Sequence, residues 1–180
     1  MRDAAGFTLW DLLCTLLIAS IVLGLGVPSF RTFLLDSRRT ADVNAFVLAV
    51  QLARNEAAKR GRSVAVCASA DGLRCTSPRG RYDAGWIVFV NEDNVRPPQR
   101  SAAEPLLYVH DPEITGTIVA NRDAFEFWPF HQQRSTNGTA VFCDARGSSA
   151  ARAVIVSYTG RPRVDSVGPG GEALRCAGLP

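Results

Sequence analysis

Lysine is almost missing from this chain: 19 of its 20 basic residues are arginine, and Lys59 is the one exception. A genome-wide codon bias is the simplest cause, but arginine's planar donor fork also makes each basic site a better phosphate ligand than lysine would be. Histidine is nearly as scarce. His110 and His131 are the two present, and neither sits in a catalytic or metal-binding motif. There is no G-x-S-x-G, no H-E-x-x-H and no G-x-x-x-x-G-K, so the motifs of serine hydrolases, zincins and P-loop enzymes are absent. Gly168-Pro169-Gly170-Gly171 reads as a turn or flexible tail, not a phosphate cradle. The five cysteines include no C-x-x-C, which argues against a zinc site. Internal repeats and low-complexity stretches are also lacking. These absences leave a non-enzymatic protein with no cofactor and no metal.

What is present bounds the fold. The 180 residues are 47% hydrophobic and 21% charged, enough for one folded domain with an extra element, and unlike a disordered or collagen-like chain. Net charge is only +3, but it is segregated. Residues 1–81 carry 11 basic and 6 acidic groups, residues 82–133 carry 3 and 8, and residues 134–180 carry 6 and 3. Such a chain can present one basic face despite its small total.

The longest uncharged run spans Leu12 to Phe30, and between Phe7 and Phe30 the single charge is Asp11. Its 19 residues make roughly 28 Å of helix, near the thickness of a bilayer's hydrocarbon core. A cleaved secretory signal, ending at Gly24-Leu25-Gly26, competes with a retained membrane helix. The signal reading has only Arg2 as its basic region, offset by Asp3, and an acid inside the apolar run, so the retained helix is preferred. Arg31, Arg38 and Arg39 on its far side would by themselves place that side in the cytoplasm.

Beyond Phe30 the helix continues. Phe30, Phe33, Leu34, Ala41, Ala45, Leu48, Ala49, Leu52 and Ala53 recur at three- and four-residue steps, predicting an amphipathic helix over residues 31–61. Lys59 and Arg60 complement its C-terminus better than they make an anion site, and Gly61 is the expected left-handed cap. The remainder, residues 62–180, reads as a β-rich head. Strands are predicted at Ser63–Ala68, Gly85–Asn91, Pro105–His110, residues 115–120, residues 124–130, Thr139–Cys143 and Arg152–Tyr158, with a weaker one at Arg161–Ser166. Asn137-Gly138 is a type I′ hairpin candidate, since both residues tolerate positive φ. Phe125, Phe127, Trp128 and Phe130 suit core packing better than base stacking.

Cys14 lies in the apolar run and is expected to be a small buried residue. The four cysteines of the head allow three pairings. Cys67–Cys75 would close a local loop, and Cys143–Cys176 would tie down a Pro/Gly-rich tail, so these pairings are preferred. Disulfides imply an oxidising compartment, which sets the head outside the cytoplasm and outweighs the count of flanking arginines.

One segment carries a sharper functional expectation: Tyr158-Thr159-Gly160-Arg161-Pro162-Arg163-Val164. Gly160 permits a turn, and Pro162 fixes φ and removes a donor, as suits an edge strand. Extended backbone then places Arg161 and Arg163 on one side, about 6–7 Å apart. Two guanidinium forks so spaced suit successive phosphates of a nucleic acid backbone. They equally suit an edge strand protected by charge against aggregation.

Two stretches carry a family resemblance. Ala5-Gly6-Phe7-Thr8-Leu9-Trp10-Asp11, followed by the apolar run with Pro28, resembles the class III signal of type IV pilins and pseudopilins. Ser135-Thr136-Asn137-Gly138-Thr139, Phe142-Cys143-Asp144, Ala153–Thr159 and Gly160-Arg161-Pro162-Arg163 resemble the GspH/FimT family of minor pilins. The resemblance implies an α+β, type IV pilin-like fold with a long N-terminal helix on an antiparallel β-sheet head. It implies a leader over residues 1–6, cut after Gly6 by a prepilin peptidase that methylates Phe7, and a membrane and assembly helix over residues 7–30. Asp11 stands where the family usually has Glu, one methylene longer, to meet a neighbouring subunit's α-amino group. The G-R-x-R element is similar to the DNA-binding motif of FimT-type minor pilins used in natural transformation. It implies a chain held in the inner membrane with its head in the periplasm, then incorporated with other pilins into a surface pilus. There Gly160, Arg161 and Arg163 would hold double-stranded DNA, with Arg134, Arg146 and Arg152 as supporting contacts. Three neutralised phosphates would give a log–log salt slope near about −2.7. A FimU-like structural minor pilin and a GspH-type pseudopilin of type II secretion are the alternatives that the same resemblance permits.

Overall fold

The computed structural model describes residues 9–76, 80–114, 116–129 and 135–176. The chain divides into two compact units, residues 1–37 and 38–180, and one helix, α1 (Leu9–Arg60), runs through both. In the first unit α1 is long and apolar enough to cross a membrane. Its large side chains are exposed on every side, from Leu9 and Trp10 through Leu16, Ile21 and Val27 to Phe30. The few polar side chains bond to the helix's own carbonyls: Thr15 Oγ1 donates to the Leu12 carbonyl at 2.8 Å, and Ser20 Oγ to that of Leu16 at 2.8 Å. That is how hydroxyls are satisfied in lipid. Pro28 has no N–H, so the helical ladder loses one rung there. Cys14 is a free thiol on the outer surface of this apolar segment.

In the second unit α1 ends at Arg60. Gly61, at φ 64°, donates its N–H to the Ala57 carbonyl at 3.1 Å, and Glu56 takes salt bridges from both Lys59 and Arg60. Eight strands follow: β1 (Ser63–Ala68), β2 (Trp86–Asn91), β3 (Leu106–His110), β4 (Gly116–Ala120), β5 (Ala124–Phe127), β6 (Gly138–Asp144), β7 (Arg152–Val156) and β8 (Pro162–Asp165). Each matches an expected run, but they form two antiparallel sheets instead of one. The first has the order β3-β2-β1-β5 and the second β4-β6-β7-β8. Together with the helix they make the α+β fold expected. β1 and β2 are buried on both faces, which is why they read as unbroken apolar runs without alternation. One face joins the main core, and the other packs Ala65, Cys67, Ile87 and Phe89 under the loop held by the Cys67–Cys75 disulfide.

Phe46 joins the layers. It is fully buried and makes edge-to-face contacts with Tyr82, Trp86 and Phe125 on one side and with Phe142 of β6 on the other, at centroid distances of 5.4–5.8 Å. The buried stripe of α1 is therefore Arg39, Asp42, Val43, Phe46, Ala49, Val50, Ala53 and Ala57. This corrects the face read from sequence. Leu48 and Ala41 are exposed, because α1 is rich in Ala, Val and Leu on all sides and apolar spacing alone does not choose among faces. The stripe also contains two ions. Asp42 accepts a bond from His110 Nε2 (2.9 Å) and from the backbone N–H groups of Glu113 (3.0 Å) and Ile114 (2.8 Å). Arg39 bridges to Asp144 at 3.4 Å and donates to the Ala150 carbonyl.

Asn137-Gly138 is not a hairpin turn, a second correction. β5 and β6 lie in different sheets, and Gly138 already pairs with Val156 of β7. Glycine is needed there for close approach: a Cβ would stand 2.7 Å from Asn121 Oδ1 and 3.0 Å from the Phe125 ring. Trp128 and Pro129 likewise fall outside β5, and Phe130 lies outside the described residues. The tail turns back at Gly168–Gly171, and the Cys143–Cys176 disulfide fixes it to β6, with Leu174 packed on Ala153 and Ile155.

Asp144 yields a prediction. Burial works to raise its carboxyl, and the hydrogen bonds and charge of Arg146 together with the charge of Arg39 outweigh that, holding it below the ordinary carboxylate range. A depressed folded value contributes stability above the unfolded carboxylate value, and this is lost as pH falls through the folded one. Replacing Asp144 with alanine takes a buried carboxylate away from both Arg39 and Arg146 and should cost about 3–5 kcal/mol at neutral pH by urea unfolding. The deficit should shrink on acidification, and a deficit independent of pH would contradict the pairing.

Candidate nucleic-acid interface

The G-R-x-R element lies in the hairpin between β7 and β8. β8 is an edge strand of the second sheet and begins at Pro162, which sits opposite Val156. The turn, Ser157–Gly160, is tightly hydrogen-bonded. Gly160 N–H donates to the Ser157 carbonyl (2.8 Å), Ser157 N–H to the Arg161 carbonyl (3.0 Å), and Arg161 N–H to Ser157 Oγ (3.1 Å). Ser135 Oγ donates to the Tyr158 carbonyl at 2.5 Å, and Ser135 also bridges to Phe127 at the end of β5. The hairpin is thus fastened to the neighbouring sheet.

Gly160 is required twice over. Its φ is 73°, a left-handed conformation that side chains disfavour. A Cβ would also stand 3.1 Å from the Phe127 ring and 3.3 Å from Arg54 Cδ. The turn therefore rests on a buried aromatic ring and on the stem of an arginine from α1.

Arg161 and Arg163 both point to solvent, and neither forms an ion pair among the described residues. Arg163 is opposite Ile155 in the register and stands beside Val164, itself 49% exposed. Tyr158 at the turn is also exposed. The one acid of β5, Glu126, is engaged by Ser63, Asn91 and Arg96, and Asp165 of β8 accepts the N–H groups of Ser166 and Val167. Two exposed guanidinium groups on an edge, without ion-pair partners among the described residues, can take phosphate or carboxylate oxygens from another molecule.

The supporting arginines do not gather here. Arg146 is bound to Asp144 through Nε at 3.0 Å and Nη2 at 2.5 Å. Arg152 opens β7 and donates to the Ala151 carbonyl. β6 and β7 are antiparallel, so both residues lie at the end of the sheet away from the turn, about 17 Å along β7 in the case of Arg152. Proximity in sequence had suggested one face, and strand direction separates them. Arg134, Gly6 and Phe7 lie outside the described residues. Asp11 is in the first turn of α1. Arg54 is the neighbour that sequence reading missed, and its only signal was an exposed helical position lacking an acid three or four residues away.

The other chemistry-bearing groups are used internally. The His110 ring lies against Trp86, tilted at 33° with centroids 4.2 Å apart, while bonded to Asp42, and His131 lies outside the described residues. Phe125 and Phe127 are buried, and Trp128 takes the Arg96 guanidinium over its ring at 4.9 Å. Among the described residues no group of His, Cys, Asp and Glu could hold a metal ion.

Residues 42–160 match the family described as type II transport protein GspH. Two crystal structures of the type IV minor pilin FimU from Pseudomonas aeruginosa strain PAO1 are similar in fold. One, in space group P65, has 20% identity and a TM-score of 0.52, covering 79% of this chain and 98% of FimU. The other, in P21, has 20% identity and a TM-score of 0.51, covering 81% and 96%. No curated protein matches the chain. With a family match over most of its length and a type IV pilin-like fold, this chain belongs to the GspH family of type IV minor pilins and pseudopilins.

Proposed function

We propose that this is a minor pilin that enters a pilus through its N-terminal helix and holds double-stranded DNA, without sequence preference, on the β7–β8 edge for uptake in transformation. The observation that carries the reading is the pair Arg161 and Arg163, exposed on an edge hairpin and without ion-pair partners among the described residues. Other arginines of the chain are engaged internally: Arg39 and Arg146 on Asp144, Arg81 on Asp83, Arg60 on Glu56, and Arg100 on the Leu73 and Glu104 carbonyls. Two open guanidinium forks suit phosphodiester oxygens, and Pro162 between them keeps the strand from extending its ladder. Contact with the backbone alone gives affinity without sequence reading. One head would hold DNA weakly, and several along or at the tip of a pilus would hold it firmly.

The membrane and assembly steps belong to the same reading. The prepilin peptidase would cut after Gly6 and methylate Phe7, the apolar helix would wait in the inner membrane with the head in the periplasm, and Asp11 would pair with a neighbouring subunit's α-amino group. A second reading has its own support. The likeness to FimU in fold, and the match to GspH, suit a subunit that primes assembly of a pilus or a secretion pseudopilus and binds no nucleic acid.

Two experiments test this. Full-length protein in uncharged detergent should bind a short labelled duplex at low salt. The Arg161→Gln, Arg163→Gln double variant should bind far more weakly, with a log–log salt slope shallower by about 1.8. Equal binding by the variant, or none by the parent, would leave the assembly reading. Separately, intact mass of protein extracted from pili should correspond to a chain starting at N-methylated Phe7. A mass including residues 1–6 would refute the processing step.

A further inference from the structure

We infer that Arg54, on α1, is a third cation of the same phosphate-binding surface, making it a composite of helix and hairpin. The inference rests on the DNA-binding reading of Arg161 and Arg163, and it identifies a residue that lies outside the G-R-x-R element. Three observations carry it. The Arg54 stem passes beside the turn, with Cδ 3.3 Å from the position a Gly160 Cβ would occupy, so the side chain lies against the residue that immediately precedes Arg161. Arg54 is exposed and forms no ion pair among the described residues. No acid is available to it along its own helix face: Val50, Gln51, Ala57 and Ala58 stand three and four residues away, and Glu56 is occupied by Lys59 and Arg60.

The groups packed around this spot reinforce the charge. Phe127 beneath the turn is fully buried and apolar, which lowers the local dielectric around the cations above it. Ser135 and Ser157 spend their hydroxyls on the turn itself and offer no counter-charge. The stem of Arg54 passes beside the Gly160 backbone while the residue stays exposed, so the charge is delivered at low loss of side-chain freedom. Absence of a Cβ at Gly160 is what lets that stem approach. The glycine of the motif thus has a role besides turning the chain: it admits a cation from a different element. A duplex laid along the β8 edge would then meet Arg54 from the α1 side of the sheet and Arg163 from the side of Ile155, with the turn between them, and a phosphodiester backbone with its repeated charges spans such an edge better than an isolated anion does.

The ordinary alternative is that Arg54 covers apolar surface with its stem and its charge does nothing. Arg54→Met keeps a long stem over Gly160 and removes only the charge, and Arg54→Lys restores a point charge. Both would be compared with the parent and with the Arg161→Gln, Arg163→Gln variant, as full-length protein in uncharged detergent, by titration of the labelled duplex at several salt concentrations. The expected result is that Arg54→Met melts at the parent's temperature but binds on the order of fivefold more weakly, with a salt slope shallower by about 0.9. Arg54→Lys should recover most of that slope. If Arg54→Met binds like the parent while the double variant loses binding, the third cation is refuted and the hairpin reading survives. If the parent itself fails to bind duplex at low salt, both fall together. If Arg54→Met melts lower, its binding is read against Arg54→Lys, and a lysine variant with a normal melt but no charge-dependent binding also refutes the proposal.

Discussion

The seating of Phe46 between two sheets is the constraint on which the rest of the head depends. A single ring touches Tyr82, Trp86 and Phe125 on one side and Phe142 on the other, so it fixes both the rotation of α1 and the separation of the sheets. Removing such a ring from a closed core leaves a cavity that neighbours fill only in part. With the rotation fixed, Ala49, Val50, Ala53 and Ala57 continue the buried stripe. Arg54 then falls just outside the stripe, beside the hairpin turn. The position of a surface arginine is thus decided two turns away, by an aromatic contact in the core.

Two ionic anchors sharpen that packing. Apolar side chains on a helix as uniformly hydrophobic as this one would tolerate several rotations, whereas Asp42 and Arg39 tolerate few. Asp42 needs the His110 ring and two backbone N–H groups, and Arg39 needs Asp144 and the Ala150 carbonyl. A buried ion left without those partners is strongly penalised, so wrong seatings of the helix are excluded more firmly than right ones are favoured. The same Asp144 holds Arg146, which removes that arginine from any surface role.

Much of the fold was legible in the sequence, for physical reasons. Runs such as Trp86–Asn91 and Ser63–Ala68 are β-branched or aromatic and bounded by turns, and Gly61 could end a helix in only one way. What failed was whatever depended on which strand neighbours which. Asn137-Gly138 has the composition of a hairpin turn, yet the strands on either side belong to different sheets, and the glycine serves close packing against Phe125. Arg146 and Arg152 are close to Arg161 in sequence but at the other end of the sheet, since a strand reverses direction at each turn. Leu48 and Ala41 were taken for core because the spacing of apolar residues along α1 is ambiguous, and the two buried ions that break the ambiguity look like surface residues in a sequence. The motif Gly160–Arg163 was legible because it is local, and Arg54 was not because it reaches the motif through tertiary structure.

The central claim is that the open arginine pair captures DNA while the rest of the chain serves assembly. The most direct measurement is uptake of labelled duplex DNA by host cells carrying the Arg161→Gln, Arg163→Gln variant, alongside a count of their surface pili. A DNA-holding head predicts that uptake falls sharply while pili remain as numerous as in the parent strain. Unchanged uptake would contradict it, and loss of pili together with uptake would show instead that the hairpin serves assembly.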